Sequence, residues 1–122
     1  MALTVDYKPP FDSANVKAFG PATIEHRTAA SGLTQLGTYF MTFHDGALTE
    51  PWTVQYEETI YVISGQARLV IIDGDEEQTI IADADELLVL PEGTTVRYGA
   101  DPETRLLLSI TPVNWRNVSA PS

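Results

Sequence analysis

Pro51-Trp52-Thr53-Val54-Gln55-Tyr56-Glu57-Glu58-Thr59-Ile60-Tyr61-Val62-Ile63-Ser64-Gly65 is the stretch on which the fold turns. It is rich in β-branched and aromatic residues, the composition of a strand on a pleated, half-buried sheet. Gly65 closes it as a turn residue. If 52 to 62 is one strand, side chains alternate between two faces. Trp52, Val54, Tyr56, Glu58 and Ile60 then share one face, and Glu57 and Tyr61 the other. One carboxylate among apolar and aromatic neighbours is the unusual member of that set.

The same reading extends along the chain. Tyr39 to Phe43 is strand-forming and is broken by His44-Asp45-Gly46. Leu69-Val70-Ile71-Ile72 runs into Asp73-Gly74, a hairpin signal, and Thr79-Ile80-Ile81 starts the return. Leu87 to Leu90 is closed by Pro91 and Gly93, Thr94 to Tyr98 is another strand, and Arg105 to Thr111 is the last. About eight strands at regular spacing, with no long helical period, mean an all-β sandwich or barrel. Residues 1–22, with Pro9, Pro10, Gly20 and Pro21, read as an arm or edge strand. Residues 23–115 form the barrel, and 116–122 are a tail. At 122 residues and 43% hydrophobic content the chain forms a single domain with a real core.

Composition narrows the chemistry. Cysteine is absent, so disulfides and thiolate metal sites are excluded. The net charge of −10 repels phosphate backbones, so nucleic-acid binding is not expected. No window has the ~20 apolar residues of a membrane helix, and the N-terminus has no basic stretch followed by an apolar run. The expectation is a cytoplasmic protein without membrane association.

Glu58 and Gly65, with Pro91-Glu92-Gly93 farther on, resemble the two motifs of the cupins, small double-sheet jelly rolls. The likeness covers roughly residues 34–112. Pro51-Trp52-Thr53, Tyr56-Glu57-Glu58, Tyr98-Gly99 and the closing Pro112-Val113-Asn114-Trp115 bring the chain nearer to the cupin domain of the ethanolamine-utilisation Q (EutQ) family. The resemblance implies a cupin-type double-stranded β-helix, a jelly-roll barrel. Cupins generally place metal-binding histidines where this chain has Trp52, Val54 and Val96, and the EutQ-like subgroup lacks them too. Where the second motif opens with glycine, this chain has Asp85, read as a turn residue that tolerates an unusual backbone angle.

The family's ligand positions imply that the face carrying Trp52, Val54, Tyr56 and Glu58 points into the barrel, joined by Val96 and Tyr98 from a neighbouring strand. Trp52, Val54 and Val96 also suit plain core packing. Glu58 is different: a buried carboxylate must be hydrogen-bonded, paired or neutralised by a raised pKa. Tyr56 and Tyr98 are the expected partners. A one-residue bulge would instead expose Glu58 and bury Glu57. Of the two histidines, His44 precedes the turn before the first motif and is placed at the mouth, and His26 near the start of the barrel. Glu58, His44 and Tyr56 would make a poor metal site, so no metal or cofactor is expected.

Three functions follow. The first is a metal-free cupin that binds a small organic metabolite through Trp52, Val54, Val96, Tyr98 and His44, around Glu58. The second is a metal-independent isomerase, epimerase or lyase with Glu58 as general acid or base, assisted by Tyr56. The third is a dimeric interaction module. A homodimer is expected in any case, because cupins pair through sheet edges and the arm is long enough to reach a neighbour.

Overall fold

Residues 52–62 are not one strand. In the computed structural model, which describes residues 5–118, the stretch is divided between two sheets. Ten strands occur in chain order: β1 Val16–Phe19, β2 Ala22–His26, β3 Gly37–Phe43, β4 Trp52–Thr53, β5 Glu57–Ser64, β6 Gln66–Asp73, β7 Glu76–Asp83, β8 Leu87–Leu90, β9 Thr95–Ala100 and β10 Arg105–Thr111. One sheet has the order β1-β2-β3-β10-β5-β8, the other β4-β9-β6-β7. Every pairing is antiparallel. The helical content among the described residues is a 3-10 turn, Ser13–Asn15, and one turn of α-helix, α1 Trp115–Val118.

The break between β4 and β5 has a physical cause. The backbone N–H of Val54 donates to Thr94 over 2.9 Å, and Gly93 donates to the Val54 carbonyl over 2.8 Å. The turn around Pro91–Gly93 thus holds the chain where it crosses between layers. Face alternation survives the crossing: Val54, Tyr56, Glu58, Ile60 and Val62 are buried, while Glu57, Thr59 and Tyr61 are exposed. The register is therefore the one that puts Glu58, not Glu57, inside.

The core lies between the sheets. Met41, Phe43, Ile60, Val62, Leu106 and Leu108 fill it from the larger sheet, and Leu69, Val96 and Ala100 from the smaller. Turn chemistry fixes the strand ends. The β6–β7 hairpin turns at Gly74 with φ 61°. Asp85 has φ 70°, and its Oδ1 accepts a 2.7 Å hydrogen bond from the Tyr61 hydroxyl. The N-terminal segment contributes β1, which pairs with β2 of its own chain as an edge strand. Residues 119–122 of the expected tail lie outside the described residues.

Candidate functional site

β5 presents Glu58 inward between Leu90 of β8 and Ile110 of β10, its direct cross-strand partners. Its side chain is 4% exposed. From the opposite sheet, β9 presents Tyr98, whose hydroxyl donates to Glu58 Oε1 at 2.8 Å. No hydrogen bond reaches Glu58 Oε2 among the described residues. Burial raises the Glu58 pKa to about 7 despite the Tyr98 bond, which pulls it down. At neutral pH the carboxyl is therefore divided between acid and anion.

Tyr56 stands beside this pair. Its hydroxyl accepts a 3.1 Å bond from the indole N–H of Trp52. Burial first, and the Glu58 charge second, push its pKa up to about 12. The Tyr98 phenol is pushed up in the same way, by burial and then by the charge of Glu58. Both tyrosines are phenols at any physiological pH, so they serve as hydrogen-bond donors.

These side chains line a cavity of about 500 Å³. Trp52, Tyr56, Glu58 and Tyr98 form one part of the lining. His26, Tyr39 and Met41 come from β2 and β3, Phe19 and Lys17 from β1, and Trp115 and Arg116 from α1. His26 pairs directly across from Tyr39 and stacks on it at 4.3 Å and 17°. Its Nε2 is buried and has no hydrogen-bond partner among the described residues. Desolvation lowers its pKa, so the imidazole is neutral at pH 7. Trp115 closes on the others, 5.6 Å from Trp52 and 5.5 Å from Tyr56 between ring centres.

The structure thus gathers Trp52, Tyr56, Glu58 and Tyr98 in one cavity. Val54 and Val96 are fully buried core residues and do not line it. Both point inward and belong to the packed core. His44 is exposed, bonds Thr23 Oγ1 at 3.0 Å and is also outside the lining. Among the described residues, no group of three or more His, Cys, Asp or Glu side chains could hold a metal ion. No helix there is long and apolar enough to cross a membrane.

Sequence reasoning missed several contributors, among them His26, Tyr39 and Trp115. Inward parity in β2 and β3 gives the first two a signal once the strand ends are known. Trp115 had only its place in the closing Pro-Val-Asn-Trp motif.

Comparison with known proteins fits this picture. The family profile described as ethanolamine utilisation protein EutQ matches residues 3–117. The chain is 31% identical over 68 residues to the acetate kinase EutQ of Salmonella typhimurium, covering 56% of this chain and 28% of that protein. It is 31% identical over 67 residues to the acetate kinase EutQ of Clostridioides difficile, covering 55% of this chain and 40% of that one. The chain therefore spans well under half the length of these relatives. Among solved structures, EutQ of Clostridium difficile has a TM-score of 0.67 at 22% identity, over 87% of this chain and 82% of that chain. A variant of Bacillus subtilis oxalate decarboxylase OxdC has a TM-score of 0.69 at 21% identity, over 80% of this chain and 27% of that chain. These two likenesses show a shared cupin fold.

Proposed function

The chain belongs to the ethanolamine utilisation protein EutQ family, and from that premise we propose that it is a metal-free cupin that binds a small organic metabolite in the barrel cavity. One observation carries the reading: Glu58 lines the cavity with one oxygen bonded to Tyr98 and the other without a hydrogen bond among the described residues. A buried carboxyl in a core has a strong incentive to satisfy both oxygens, because an unmet group costs about 1–3 kcal/mol. A carboxyl left half-met beside open volume is arranged for a visitor.

The acetate kinase name of the curated relatives raises phosphoryl transfer to acetate as an activity for this chain too. The sequence has no Gly-x-x-x-x-Gly-Lys-Ser/Thr phosphate loop. The chain also spans only 28% of the Salmonella protein. Binding is the role that the half-satisfied Glu58 in the cavity supports. A second reading has its own support. A carboxyl with a pKa of about 7 has the right balance for general acid–base work at neutral pH. Glu58 would then move the proton and Tyr56 and Tyr98 would orient the substrate.

The test is extraction of untagged protein followed by mass spectrometry of the released small molecules, with a thermal-shift screen of metabolites alongside. The reading expects a compound that raises the melting temperature of the wild type and not of Glu58→Gln. An acetate kinase assay runs beside it. If no compound co-purifies and none shifts the wild type, the cavity is not a binding site.

A further inference from the structure

We propose that the cavity takes a small organic ammonium ion, with its positive end seated at Glu58. This rests on the reading of the cavity as a ligand site and names the class of ligand.

Charge comes first. Among the described residues three charged side chains line the cavity, Lys17, Glu58 and Arg116, and of these Glu58 alone is buried. Lys17 and Arg116 are exposed, where water and salt screen them. The buried part of this lining therefore carries its charge on Glu58 alone. The net charge of −10 also draws cations toward the surface from a distance.

The walls come next. Phe19, Tyr39, Trp52, Tyr56, Tyr98 and Trp115 all line the cavity. Trp115 meets Trp52 at 69° and Tyr56 at 53°, and Phe19 meets Tyr98 at 61°. Rings set at steep angles present faces in different directions, as the sides of a box do. An aromatic face is the negative end of a quadrupole, which attracts cations and repels anions. One ring already shows the preference: the Arg116 guanidinium carbon sits 4.4 Å above the centre of Trp115.

Hydrogen bonding points the same way. Glu58 Oε2 offers acceptor capacity to the cavity, and the neutral His26 has an unpartnered Nε2. An ammonium brings donors to such acceptors, or, when fully alkylated, brings charge to the rings. A carboxylate ligand would meet a like charge on Glu58 in a lining made largely of aromatic rings.

The experiment is an NMR titration of labelled protein at pH 7.5, following the two indole N–H signals. The probes are tetramethylammonium, n-propylammonium, tert-butanol as the neutral isostere, and acetate. The proposal expects both ammonium ions to shift the indoles, tert-butanol to bind roughly tenfold more weakly or worse, and Glu58→Gln to erase that preference. Trp115→Leu is the second variant, should Glu58→Gln fail to fold. It should weaken tetramethylammonium by several-fold and leave tert-butanol nearly unchanged. Acetate binding more tightly than either ammonium overturns the proposal, as does an ammonium affinity indifferent to both variants. A different metabolite held at Glu58, with no ammonium binding, overturns the ligand class and leaves the binding site standing. An absence of binding by all probes and by every screened compound ends both.

Discussion

Tyr98 and Glu58 face each other across the barrel, and the 2.8 Å hydrogen bond between them joins the smaller sheet to the larger. Each half of the pair depends on the other. The phenol is the one group that lowers the carboxyl's pKa against burial, and the carboxyl's charge is one reason the phenol does not ionise. The consequences are open to measurement.

Glu58→Gln should stabilise the protein at high pH. The folded-state pKa of about 7 lies above the ordinary 4.5. Between those values the folded chain holds a proton that the unfolded chain has released, so stability falls as pH rises through the window. Above pH 7 the penalty is on the order of 3 kcal/mol. Glutamine has none to lose. Urea denaturation from pH 4 to 8 should show the two proteins diverging across the window, with the variant the more stable at the top. Parallel curves would mean that Glu58 is not held near neutrality.

Tyr98→Phe should destabilise, and more so at high pH. It strips Glu58 Oε1 of its donor, at a cost of about 1–3 kcal/mol. With that bond gone the carboxyl's pKa climbs further, which widens the gap between pH 5 and pH 8. Combined with Glu58→Gln the pH-dependent part of the loss should vanish, and a double-mutant cycle at the two pH values measures it.

Two turn positions should respond in opposite ways to substitution. Gly65 has φ 87°, and a Cβ there would lie 2.9 Å from Thr104 Cα, so Gly65→Ala should cost about 2 kcal/mol or more. Asp85, at φ 70°, should tolerate glycine within about 1 kcal/mol, because the backbone gain offsets the lost exposed bond to Tyr61. Asp85→Val should cost more than Asp85→Gly. Thermal denaturation of the three variants decides.

A homodimer is the expected state in solution. Leu87 and Val89 on the edge strand β8 are exposed, as are Tyr61 and Ile63 on its neighbour β5. Sedimentation should give twice the chain mass, and Val89→Glu should shift it toward that of one chain. A wild type that sediments as a monomer at every concentration counts against pairing.

Much of this was legible from residue order, for a reason that also marks the limit. Two-residue alternation is local, so Val54, Tyr56, Glu58 and Ile60 could be placed on one face from sequence, and the family likeness turned that face inward, even though the chain changes sheets among them. The left-handed turn at Asp85 was legible because few residues other than glycine, chiefly Asn and Asp, adopt it readily. Depth along the barrel was not legible. Val54 and Val96 share the inward face with Tyr56 and Tyr98 but are packed core, and only the three-dimensional gap separates core from cavity wall. The contributions of His26 and Trp115 come from β2 and α1, far from the motif in sequence, and alternation carries no information about such distant partners.

The crossing between β4 and β5 has a mechanical consequence. The two sheets lie like the covers of a book, the stretch from Trp52 to Glu57 is one of the connections that join them, and the Tyr98–Glu58 bond is the clasp on the inside. A ligand of the kind proposed would lie between both covers. One bulky enough to part Tyr98 from Glu58 would break the contact that lowers the carboxyl's pKa, so size and charge would be selected at a single latch.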